Sequence, residues 1–65
     1  MKLTEDQKWR VQDLVSAWRF TQSEILTGRL DSVTGARARI QIMKEARAEG
    51  IEEPVRKVLF RGEKI

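Results

Sequence analysis

The chain has 65 residues, enough for one small domain spanning 1–65 that hides only about 60% of its unfolded surface. It is 40% apolar and 35% charged with a net charge of +3, the composition of a folded domain rather than a disordered tail. With no Cys and no His it has no disulfides, thiol or imidazole metal ligands, cysteine nucleophile or histidine base, so neither an enzyme nor a metal or cofactor site is expected.

A core of this size rarely leaves more than about 3–5 kcal/mol of net stability unless something reinforces it. Association is the reinforcement still open to it, so a homo-oligomer, dimer or higher, or a protein partner is expected. No apolar run approaches the roughly 18 residues of a membrane span, and Met1-Lys2-Leu3 leads straight into polar residues, so the expectation is a cytoplasmic chain without signal peptide or membrane contact.

The first helix signal is Thr4 with Gln7 three residues later, a capping box that satisfies two free N–H groups. From there Val11, Leu14, Val15, Trp18 and, if the helix continues, Thr21, Gln22 and Ile25 form one apolar stripe. Trp9 lies nine residues before Trp18, half a turn out of phase, so the two indoles point to opposite sides. Thr21 with Glu24 reads as a second capping box and Phe20 with Ile25 as a hydrophobic staple. A break or bend near Phe20 is therefore favoured over one unbroken helix reaching about Leu26.

Past Gly28, Asp31 and Ser32 are candidate N-caps for a helix running to about Glu49 and closed by Gly50. Its principal stripe reads Val33, Ala36, Ile40 and Met43, with Ala38 and Ile42 nearly opposite. Apolar on two sides, such a helix looks for a partner outside its own chain. Pro54, preceded by Glu52 and Glu53, starts a last short helix in which Val55, Val58 and Leu59 have i, i+3, i+4 spacing. The competing reading is a β-branched edge strand using Val55, Val58, Phe60 and Ile65. The fold class is thus all-α, three to four short helices in an oligomer.

Charge is unevenly distributed: residues 1–28 are neutral, 29–47 carry +3, 48–53 carry −3 and 54–65 carry +3. Two basic clusters stand out, Arg37, Arg39, Lys44 and Arg47 in one and Arg56, Lys57, Arg61 and Lys64 in the other. Such clusters can track the phosphates of a nucleic acid, and the same residues can also be a solvated mixed-charge surface. Glu49, Glu52 and Glu53 are better explained as helix-end charges than as a metal or acid–base site. Trp9, Phe20 and Ile42 are the apolar residues left for a partner interface.

Residues 40–61 resemble the GapR family of nucleoid-associated proteins. The resemblance is carried by Glu45-Ala46-Arg47-Ala48-Glu49-Gly50-Ile51-Glu52, then Val55-Arg56-Lys57-Val58-Leu59 and Arg61. It implies a long dimerisation helix, shorter helices for further assembly, and a basic surface enclosing DNA by shape, with Arg47, Arg56, Lys57 and Arg61 on phosphates. Pro54, a one-residue shortening, and Gly28 and Gly35 upstream depart from that pattern. Residues 21–50 also resemble a helix-turn-helix, with Thr21-Gln22-Ser23-Glu24-Ile25 opening the first helix and Asp31 to Gly50 as the recognition helix. There the turn glycine is misplaced. Together these observations lead to the expectation of a small DNA-binding protein, nucleoid-associated or regulatory, that contacts double-stranded DNA through its basic helices. The alternative is a small helical module that binds a larger protein as inhibitor or adaptor.

Overall fold

The Thr4 hydroxyl accepts the Gln7 N–H at 3.1 Å and the Gln7 side chain accepts the Thr4 N–H at 2.9 Å, so the capping box expected from the sequence opens the first helix. The computed structural model describes residues 2–64, in three helices with no strand among them: α1 Glu5–Leu26, α2 Ser32–Ala48 and α3 Glu52–Arg61.

α1 does not break at Phe20. Thr21, the expected second cap, sits inside the helix with its hydroxyl donating to the Ala17 carbonyl at 2.9 Å, four residues back, and is buried. A threonine that satisfies its hydroxyl on its own helix has no reason to cap a new one, and the apolar stripe carries on through Trp18 and Ile25.

At the next junction Asp31 is the cap. Its carboxylate accepts the Thr34 N–H at 2.7 Å and the Thr34 hydroxyl at 3.0 Å. Gly50, at φ +73, ends α2. Its N–H bonds to the Arg47 carbonyl, and the Ile51 N–H reaches the Ala46 carbonyl, the double closure that needs a left-handed residue. α3 starts at once, with Pro54 in its first turn where a missing N–H costs nothing. The strand reading fails for Val55, Val58 and Phe60, which are helical; Ile65 lies outside the described residues.

Three cross-helix contacts set the topology: Arg10 meets Glu49, Gln22 meets Arg39, and Ile25 meets Gly35. Positions that ascend along α1 descend along α2, so the two are antiparallel. The core consists of Val11, Leu14 and Val15 from α1, Ile42 and Ala46 from α2, Ile51 from the turn, and Val55 and Val58 from α3, with Leu3, Trp18, Met43 and Leu59 packed on its edge.

The face that α2 buries differs from the expected one. Gly35, Ile42 and Ala46 turn inward, whereas Val33 and Ile40, placed by the sequence on the principal stripe, are 60% and 65% exposed. Packing distance decides this. A Cβ on Gly35 would overlap the Ile25 side chain, so the small residues Gly35 and Ala46 let α2 lie close against α1, and a stripe of larger side chains cannot. Ile42, expected at a partner interface, is a core residue and offers no surface.

Candidate nucleic-acid interface

The turn at Gly50 brings the two basic clusters together. Glu52, the first residue of α3, accepts a hydrogen bond from Arg47 Nη2 at 3.0 Å and lies 3.9 Å from Arg56 Nε. One carboxylate therefore sits between two arginines from different helices. The Arg47 hydrogen bond holds the Glu52 carboxyl below its ordinary range, with further help from the positive charges of Arg47 and Arg56 and against a smaller effect of desolvation. The same bond raises Arg47. The two arginine side chains are 73% and 61% exposed, which leaves donors on each guanidinium facing solvent.

Around this pair the other cations of the two clusters fall into two groups, with Arg39 apart from both. Lys57 pairs with Glu53 and Arg61 with Glu63, both at 3.6 Å and both on the surface, where such pairs are weak and exchange readily. Arg37 and Lys44 are exposed on α2 and have no carboxylate partner among the described residues. Lys64 is exposed beyond the end of α3. Arg39 is different: half-buried, it lies 5.6 Å over the Trp18 ring and donates to Gln22 Oε1 at 3.2 Å, so it ties α2 to α1 and has less freedom to meet a ligand.

The acids of α2 are kept off this surface. Arg10 Nε donates to both carboxylate oxygens of Glu49, at 2.9 and 3.0 Å, and its Nη2 lies 3.8 Å from Glu45. That bridge raises the Arg10 pKa, chiefly through the Glu49 hydrogen bond. Glu45 and Glu49 lie on the side of α2 that faces Arg10, so the outer side of α2 carries no acid of its own beside Arg37, Lys44 and Arg47, and the carboxylate that meets Arg47 comes from Glu52 of α3.

Aromatic residues stand among the cations. Trp18, Ala36, Ile40 and Met43 floor an open groove of about 510 Å³ rimmed by Arg39, Lys44 and Arg47. Phe60, 61% exposed, meets the Trp18 ring edge-on at 5.6 Å and 88°, and also lines a smaller recess of about 210 Å³ with Glu53, Arg56, Lys57 and Arg61. It links the two recesses into one surface. By sequence Trp18 belongs to the core stripe of α1 and Phe60 to the competing edge strand. The signal for Phe60 is that it falls off the Val55–Val58–Leu59 stripe and so has to point outward.

Trp9 and Phe20 are 69% and 66% exposed on α1, away from both recesses. Glu49, Glu52 and Glu53 do not converge, since each meets a cation of its own surroundings, and among the described residues no three His, Cys, Asp or Glu side chains are grouped as metal ligands. No described helix is long and apolar enough to cross a membrane. No protein-family model matches the chain, and neither a curated protein nor a solved structure matches it.

Proposed function

We propose that this chain binds double-stranded DNA through phosphate contacts from the α2–α3 surface. The observation that carries the reading is the Arg47–Glu52–Arg56 bridge, which joins the two basic clusters into one exposed cationic face. Arg37 and Lys44 extend it along α2, and Lys57, Arg61 and Lys64 extend it along and past α3, with Arg39 as its hinge to α1. The resemblance of residues 40–61 to the GapR family supports the same assignment for Arg47, Arg56, Lys57 and Arg61, in a nucleoid-associated or regulatory role in the cytoplasm. Phosphate contacts fix position without reading base sequence.

Titration into a labelled random duplex at low and moderate salt tests the reading. The expected result is micromolar or tighter binding whose log–log salt dependence has a slope of several units, since each neutralised phosphate contributes about 0.9. Binding that is undetectable at low salt, or indifferent to salt, rejects it. Exposed Trp9 and Phe20 favour the second reading, a protein-binding module. Arg56→Ala with Lys57→Ala abolishes activity under the first, and Trp9→Ala under the second.

A further inference from the structure

We propose that the chain associates with itself head to tail, the outer face of α1 in one copy lying on the outer face of α2 in the next. On the side of α1 turned away from the core, Glu5, Trp9, Asp13, Ser16 and Phe20 follow one another at spacings of three and four, all exposed. Asp6 flanks them. The bases of α1, Lys8, Arg10 and Arg19, lie to either side of this line. Neither Asp6 nor Asp13 has an ion-pair partner among the described residues.

The outer line of α2 is its counterpart. Val33, Arg37, Ile40, Lys44 and Arg47 recur at spacings of four and three, all exposed; helix periodicity puts Glu45 and Glu49 on the other side, where they meet Arg10, and Glu52 of α3 meets the line at its Arg47 end. One line is aromatic and acidic, the other aliphatic and basic. Both leave large apolar side chains in water, Trp9 and Phe20 against Val33 and Ile40, each at least 60% exposed.

The two faces cannot meet within one chain, because α1 and α2 pack antiparallel through their opposite sides. They can meet between copies. Two different patches form the contact, so it is heterologous: it closes into a ring or grows as a chain. Apolar burial supplies the affinity and the charges fix which faces pair. The contact claims Arg37, Lys44 and Arg47, which are also assigned to DNA, so it is measured without nucleic acid, and its result stands independently of the duplex titration.

Sedimentation over micromolar to millimolar concentration, with two variants, tests the pairing. Trp9→Ala with Asp13→Lys blocks the α1 face, and Ile40→Asp blocks the α2 face; all three positions are exposed, and retained helical circular dichroism verifies folding. The wild type is expected to form species larger than a monomer. Each variant alone loses all association, and their equimolar mixture forms a one-to-one dimer and nothing larger, because only one intact face of each kind remains. A wild type monomeric throughout, a variant that still self-associates, or a mixture that stays monomeric overturns the proposal.

Discussion

Gly35 of α2 packs against Ile25 of α1 so tightly that a methyl group on its Cα would overlap the Ile25 side chain. Its φ is ordinary for a helix, so alanine there would normally be helix-favouring by up to about 1 kcal/mol. Here overpacking outweighs propensity, at about 1–3 kcal/mol. Gly35→Ala is expected to lower the urea midpoint, and adding Ile25→Val to recover part of the loss. A Gly35→Ala protein as stable as wild type would mean that the Ile25 side chain turns aside at no cost to its packing.

Ile51 is 1% exposed although it lies in the turn between α2 and α3. It touches a core assembled from all three helices, so Ile51→Ala is expected to cost about 2–5 kcal/mol. That is as much as a core of this size supplies. The variant should lose most of its helical circular dichroism at 25 °C, whereas Gln41→Ala, exposed on α2, should leave the melt nearly unchanged.

The helix ends were legible because their chemistry is local: Thr4 with Gln7, Asp31 with Thr34, and Gly50 each act within a few residues. The Val11–Leu14–Val15 stripe was legible for the same reason. Two features were not. The unbroken α1 depends on where the Thr21 hydroxyl goes, and a threonine followed three residues later by an acid has the same pattern whether it caps or lies mid-helix. The face that α2 buries depends on Gly35 meeting a residue of another helix, and no periodicity within 32–48 contains that information. The basic residues were all visible in the sequence, but their union around Glu52 and the Arg10 bridge to Glu45 and Glu49 are tertiary facts.

Asp31 and Glu52 give the fold an acid-labile component. Hydrogen bonds from Thr34, the backbone N–H first and then the hydroxyl, hold Asp31 below its ordinary pKa, and the Arg47 bond does so for Glu52. A carboxyl whose pKa is lower in the folded than in the unfolded state contributes stability that is fully present above its unfolded pKa, about 4. That contribution is lost as pH falls through the folded value. Thermal midpoints should therefore be flat near neutrality and fall below about pH 4. Asp31→Asn, which keeps the cap acceptor but cannot titrate, should fall less steeply; a slope identical to wild type would remove Asp31 from this account.

Glu52 also sets how much of the cationic face is free. It engages Arg47 at 3.0 Å and stands 3.9 Å from Arg56, so a phosphate that binds either arginine competes with it. Glu52→Gln removes the competing charge while keeping a side chain of the same length, and is expected to tighten duplex binding at low salt and steepen the salt dependence. Lys44, without a carboxylate partner among the described residues, makes the opposite case. Lys44→Ala should weaken binding equally for all duplex sequences and reduce the log–log slope by about one. Arg10→Ala is the control: it breaks a surface pair worth up to about 1 kcal/mol, and by freeing Glu45 and Glu49 it adds negative charge near α2 without removing a phosphate contact. Parallel salt titrations of the three variants decide the matter. If Glu52→Gln binds no tighter than wild type and Lys44→Ala keeps the full slope, the phosphates are not on this face.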